Sequence, residues 1–404
     1  MLYRALLIGV LINWPFLSVR ADAGDGDGTG YWDNLQIHGF ASLAGIKTSD
    51  NRFFGDSPHT SFDFSELGLN VSLRPAPTLL ISAQLLARRA GEMYDGEPAL
   101  DYALLDYCAA ATPDYRLGLR VGRIKNPLGL YNETRDVPFT RPGIFMPQVV
   151  YFDQVRNLLL SSDGLVLYGD AYTGLGSLSL SVLHGRAVVD ENVEWAYLNG
   201  DFPGDVESRS DSWIWSLWFA TAGDRLRLGF SGASLSVDFD PRTSAPPILG
   251  AGSFDILYWI ASIQYDAEDW TLSAELMREP IDWHDFGALY PDRRLTAEGY
   301  YLQAAYRVSP GIELMMRYEE GFADRADRSG KAMSRVGGGQ GPAHMGYSKI
   351  WTAGLRWDLD RHWMLRLEYQ RHSGTFTLSS RENPYLPGQV KDWNLVAAQI
   401  AFRF

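Results

Sequence analysis

The chain has 404 residues, a formal net charge of −13, 46% hydrophobic and 21% charged residues, 40 glycines and one cysteine, Cys108. This is an ordered composition in which no internal disulfide is possible, and the acidic balance without a basic run excludes a nucleic-acid-binding face. Past the first twenty residues no run of about 18 uncharged apolar residues occurs, which excludes a bundle of membrane helices. A barrel stays open, because alternating strands average to a polar composition.

At the start of the chain Arg4 precedes the apolar stretch Ala5–Leu17, which is too short to span a bilayer, and small residues follow at Val19, Ala21 and Ala23. That is the form of an export signal. Residues 1–23 are predicted to be a signal peptide and 24–404 a single mature domain. The glycine-rich stretch 24–30 reads as a leader, since it lacks the spaced ligands of a calcium loop and the strand and helix of a phosphate loop. Neither a cofactor nor a metal is expected.

From Leu35 onward apolar and polar residues alternate, as in Arg225–Phe230 (RLRLGF), Ile312–Glu319 (IELMMRYE) and Trp363–Gln370 (WMLRLEYQ). The pattern predicts strands at about 35–47, 61–73, 79–88, 100–111, 115–124, 164–170, 175–186, 212–221, 225–238, 254–266, 270–278, 299–308, 312–320, 347–358, 363–372 and 392–404. Turn-forming residues make tight connections at 74–78, 112–114, 222–224, 267–269, 309–311 and 359–362. Long Gly- and Pro-rich connections fall between them at 48–60, 89–99, 125–163, 187–211, 239–253, 279–298, 321–346 and 373–391. The predicted fold class is therefore all-β, a transmembrane antiparallel β-barrel of about 16 strands with short periplasmic turns and long extracellular loops.

The two faces of each strand agree with this. Leu314, Met316 and Tyr318, or Leu365 and Leu367, are charge-free, whereas the alternate positions carry Glu313, Arg317, Arg366 and Glu368. An apolar face toward lipid and a polar face toward a water-filled lumen is expected. Tyr265, Trp270, Tyr306, Trp357, Trp363 and Phe404 sit beside short turns or at the C-terminus and are predicted to form a periplasmic aromatic girdle.

The last strand ends Gln399-Ile400-Ala401-Phe402-Arg403-Phe404. With the export signal, the strand number and the loop asymmetry, it resembles a Gram-negative outer-membrane porin. The resemblance implies a place in the cell outer membrane among its lipids, a homotrimer, and a water-filled channel for passive diffusion of small hydrophilic solutes or ions. It further implies that Phe402 and Phe404 belong to the signal read by the outer-membrane assembly machinery. Gly122-Arg123-Ile124-Lys125-Asn126-Pro127-Leu128-Gly129 is similar to a G-x-x-K-x-P-x-G stretch of phosphate-selective and related porin-like proteins. The chain has five lysines, few for the basic ladder on which phosphate selection in that group relies.

The third long connection, 125–163, is the longest and holds Phe139, Ile144, Phe145, Val149, Val150, Tyr151 and Phe152, which need cover. The porin resemblance implies that it folds into the barrel as a constriction, with Gly118 and Gly122 leaving it room. Alternation aims Arg88, Arg116 and Arg120 into the lumen, facing Glu133, Arg135, Asp136 and Asp153 of the loop. These seven are the expected pore-lining residues, either setting a transverse field or pairing with one another to pin the loop. An extracellular lid or a subunit latch is the alternative for the loop. A barrel enzyme of lipase or deacylase type competes as a function, but there are seven histidines and neither a G-x-S-x-G nor an H-E-x-x-H pattern. For an adhesin or a hydrophobic-substrate channel, residues 22–34 are too short and polar to act as a plug.

Overall fold

The computed structural model describes residues 34–209, 212–335 and 341–404, and in it the alternating segments form one closed antiparallel sheet. The predicted signal peptide lies outside the described residues. The strands are β1 (Leu35–Thr48), β2 (Ser61–Ala76), β3 (Leu79–Ala90), β4 (Tyr94–Ala111), β5 (Tyr115–Lys125), β6 (Ser161–Thr173), β7 (Gly176–Ala187), β8 (Gly204–Ser208) and β9 (Ser212–Thr221). They continue with β10 (Leu226–Pro241), β11 (Gly252–Asp266), β12 (Trp270–His284), β13 (Arg293–Ser309), β14 (Ile312–Phe322), β15 (Tyr347–Asp358), β16 (Trp363–Gly374) and β17 (Asp392–Arg403). Strand β17 pairs with β1, Phe40 opposite Arg403, and closes the barrel. Strands β8 and β9 both pair with β10, at Val237–Pro241 and Arg227–Ser234, so the seventeen segments fill sixteen positions.

Two differences from the sequence reading have a common cause. Strand β8 forms inside the expected 187–211 loop, and β12 and β13 run past their predicted ends at 278 and 299. Cross-strand charge pairs carry these extensions beyond the lipid: Arg278 meets Glu298 at 2.9 Å and Arg294 meets Asp282 at 3.5 Å. Alternation of apolar and polar residues is not required where both faces are wet.

On the outer face Leu43, Leu69, Leu85, Leu117, Leu167, Leu217, Ile263, Leu302, Met316, Leu367 and Ile400 are exposed around the whole circumference. Apolar surface of that extent needs lipid as its solvent. The girdle residues Tyr265, Trp270, Tyr306, Trp357, Trp363 and Phe404 are exposed beside the short turns, with Trp270 and Tyr306 rings 4.5 Å apart.

The inner face is not uniform. In the extracellular half every barrel position contributes an inward residue that is 4% exposed or less: Ile46, Phe64, Ala90, Asp101, Ile124, Val166, Leu183, Ile214, Val237, Ile256, Met277, Tyr301, Glu319, Ile350, His372 and Leu395. The expected water-filled lumen is thus closed at this level, while in the periplasmic half inward side chains such as Arg116 and Arg120 stay partly exposed. Loop 125–163 with its short helix α1 (Arg156–Leu160), helix α2 (Asn192–Tyr197) of the fourth long loop, and Phe53, Phe54 and Leu378 of the first and last loops fill the closed level. Most of these side chains are apolar, so the barrel encloses a hydrophobic core of its own.

Candidate functional site

The third loop leaves β5 through the segment singled out in the sequence, and each residue there has a positioning task. Lys125 donates to Asp101 at 2.5 Å and to Asp136 inside the loop. Asn126 donates its N–H to the Leu160 carbonyl at 2.9 Å, and the Asn132 amide donates to the carbonyls of Asn126 and Leu159 at 2.9 and 2.8 Å, clasping the outgoing and returning limbs together. Gly129 has φ +59°, and a Cβ there would sit 2.3 Å from the Tyr151 hydroxyl and 2.7 Å from Glu275, so glycine alone fits the bend. From this bend the loop descends until Val137 and Phe139 pack on Met364 and Ala401, near the periplasmic ends of β16 and β17. It returns through Ile144 and Val149 to α1.

A buried segment without regular structure has to satisfy its backbone polar groups elsewhere. Here the opposite wall does so. Glu275 of β12 accepts from the Leu130 N–H at 2.8 Å, Glu319 of β14 from Val149 at 3.4 Å, and Glu368 of β16 from Ile144 at 2.5 Å. Arg317 donates to the Phe145 carbonyl at 3.2 Å, Arg356 to Phe139 at 3.1 Å, and Arg366 to Arg141 at 3.2 Å. Wall charges that alternation aims at a lumen are therefore engaged by the loop that crosses it.

Four of the seven expected pore-lining residues face one another rather than water. Arg88 bridges Glu66 at 3.5 Å and Asp153 at 2.9 Å, and Asp153 also meets Arg135 at 3.4 Å. Asp136 is held between Lys125 and Arg156. All of these side chains are at most 10% exposed. Burial alone would push the Asp136 carboxyl up; Arg156 and Lys125 outweigh it and hold the group well below the ordinary carboxylate range. Asp153 is lowered in the same way, burial being overcome by Arg88 and Arg135. The cavity left among Glu66, Arg88, Arg135, Asp136, Asp153 and Arg156 is about 10 Å³, room for a single water.

The other three face the water-accessible half. Arg116 pairs with Asp170 at 2.8 Å and Arg120 with Asp106 at 3.0 Å, and the side chains of both arginines stay more than one fifth exposed. Tyr168 lies between the two pairs, donating to Asp106 at 2.7 Å with the two guanidinium carbons 5.3 and 4.8 Å from its ring centre. Glu133 is exposed on the loop, and Arg120 and Lys125 both act on its carboxyl to favour the ionised form. The result is two wall cations paired with their carboxylates, and a loop anion, with both arginines and Glu133 open to water.

Gly118 and Gly122 do not make room for the loop as expected. A Cβ on Gly118 would lie 2.2 Å from the Tyr168 ring, and one on Gly122 2.2 Å from the Ala103 carbonyl of the neighbouring strand. At the other end of the chain, Phe404 closes the seam by backbone bonds with Gly39 at 3.0 and 3.3 Å, its ring lying where a Gly39 Cβ would be, beside Phe402 on the outer face. His372, near the extracellular end of β16, is buried and stacked on Trp393 with centroids 3.7 Å apart.

What sequence reasoning missed is the apolar inner core. Its signal was present in β11, where Phe254, Ile256, Tyr258 and Ile260 alternate with Leu257, Trp259, Ala261 and Ile263. A strand apolar on both faces meets an apolar environment on both, here lipid outside and packed loops inside.

No protein-family model matches the sequence, and no curated protein matches it. Solved structures do match by shape. The outer-membrane channel DcaP of Acinetobacter baumannii superposes with a TM-score of 0.57 at 10% identity, over 92% of this chain and 97% of that one. An anion-selective porin from Comamonas acidovorans gives 0.56 at 12%, over 92% and 99%. Salmonella typhi OmpF gives 0.55 at 14%, over 93% and 99%.

The fold is porin-like.

At such identities the likeness establishes architecture and no more. None of these three is described as phosphate-selective.

Proposed function

We propose that this porin-like barrel is a gated outer-membrane channel for small hydrophilic solutes or ions, exported by residues 1–23 and working as a homotrimer with one passage per subunit. The reading rests above all on the third loop. It spans the lumen from β5 to β16, is held there by wall charges, and stands over a wet, charged vestibule. Because the extracellular half is packed, conduction requires the loop to swing off the β12–β16 wall. Arg116 and Arg120 then favour anions and Glu133 cations in the vestibule, where fixed charge beside a narrow aqueous space sets local ion concentration. Phe402 and Phe404 serve assembly.

Planar-bilayer recording of the purified barrel tests this. Infrequent openings are expected from the intact protein, and larger, sustained conductance from a variant lacking residues 132–141. Equal conductance from both removes the gate, and no channel from either removes the transport reading in favour of an enzyme or adhesin.

A further inference from the structure

Where the third loop lies against β2 and β3, more positive than negative charge is buried. The cavity of about 10 Å³ is lined by Arg88 of the wall with Arg135, Arg141 and Arg156 of the loop, and by Glu66 of the wall with Asp136 and Asp153 of the loop. Four cations thus face three anions. Lys125, which also reaches Asp136, is matched by Asp101 at 2.5 Å and leaves the difference unchanged. None of these side chains is more than 10% exposed. One unit of positive charge is therefore held out of water without a counter-charge, which is costly. A guanidinium does not give up its proton to relieve it.

Hydrogen bonding falls short at the same place. Arg88 uses Nη2 on Asp153 at 2.9 Å, while its Nε and Nη1 are buried without a hydrogen-bond partner among the described residues. The rings of Phe54, Phe64 and Tyr94 pack about its guanidinium carbon at 5.7, 5.5 and 5.0 Å and leave these donors unmet. Glu66 stands 3.5 Å from Arg88 Nε and 3.5 Å from Arg141 Nη2, beyond the length of a charge-assisted bond. A water in the cavity would answer the donors and leave the charge. Sulfate, phosphate or a carboxylate is too large for a space of one water. A halide answers both needs: it is little larger than a water, accepts several N–H groups and carries one negative charge. We infer that this cavity binds one chloride ion, which ties the loop to β2 and β3 whether or not the barrel conducts.

Crystals of the mature barrel grown in sodium bromide test this by anomalous scattering at the bromine edge. One strong peak is expected within hydrogen-bonding reach of Arg88 and a loop arginine. A cavity without a peak, or bromide only beside exposed arginines, would overturn the inference. Thermal unfolding gives a second reading, with sodium chloride exchanged for sodium gluconate at constant ionic strength. The midpoint should rise with chloride and level off. Glu66→Gln adds a second uncompensated charge and should lower the half-saturating chloride concentration at least about tenfold. Arg88→Gln and Arg141→Gln each leave the cluster neutral and should unfold at the same midpoint in both salts. Arg242→Gln, at a surface pair whose arginine is 64% exposed, should keep the response of the intact protein. A midpoint that ignores chloride in the intact protein, or a Glu66→Gln variant that binds it no better, would equally overturn the inference. Because Glu66→Gln is expected to gain affinity, a variant that merely folds badly cannot imitate the result.

Discussion

Asp136 is the residue at which the gate is most exposed to a single change. Replacing it with Asn keeps the shape and removes the charge that Lys125 and Arg156 share, both at most 9% exposed. Stripping one partner from a buried ion pair costs about 3–5 kcal/mol, because the remaining charge stays desolvated. Asp101 still holds Lys125 at 2.5 Å, which limits the damage to Arg156 and favours the lower figure, about 3 kcal/mol. If the cost falls on the docked loop alone, the ratio of undocked to docked loop rises by roughly a hundredfold. For comparison, Arg116→Gln, at a pair whose arginine is 25% exposed, should change it by less than about fivefold. Single-channel recording reads this directly as open probability, with the Asp136→Asn variant open far more of the time at unchanged unitary conductance. An unchanged open probability together with a melting point lowered in proportion would refute the reasoning, since loop and barrel would then come apart only together.

Arg substituted at Met316, which is 54% exposed on the lipid face, should cost about 2–4 kcal/mol in barrel stability. The same substitution at Ser179, on the inner face opposite Asp170, should stay within about 0.5 kcal/mol, and urea unfolding in lipid vesicles distinguishes them. In an open variant, neutralising Arg116 and Arg120 should move the reversal potential toward cations and neutralising Glu133 toward anions; no shift in either would place the permeating ions elsewhere. Glu382 of the last loop accepts the Phe54 and Gly55 N–H groups at 2.9 and 2.6 Å, and burial raises its carboxyl to about 7. A raised folded-state value means stability is full below the ordinary carboxyl range and falls as pH climbs toward 7. Protease nicking of loops 48–60 and 373–391 should accordingly increase between pH 5 and 8, and the Glu382→Gln variant should flatten that dependence. Native mass in detergent should show three copies, and a clean monomer would remove the trimer.

Strand positions were legible because lipid and water impose opposite demands on alternate residues: Ile312 to Glu319 states its register outright. The entry of the loop was also legible, since Phe139, Ile144 and Val149 have no place in solvent. Its partners were not. A carboxylate such as Glu368 reads the same whether it meets water or the Ile144 N–H, and a glycine such as Gly118 reads the same whether it yields to a loop or to Tyr168. Sequence alternation fixes which side of the sheet a residue faces, while contacts across a barrel depend on which strands stand opposite, and that is a property of closure.

The docking of residues 126–160 carries a consequence for the order of events in assembly. The loop is synthesised between β5 and β6, yet Leu130 binds a residue 145 positions later and Ile144 one 224 positions later. Contacts of such separation form late and slowly. Until β12 to β17 arrive, a stretch rich in Phe, Val and Leu waits without its wall, and the step that zips Phe404 against Gly39 is also the step that gives it shelter. A truncation of the final strand would thus release two sticky surfaces at once, an unpaired strand edge and an orphaned loop.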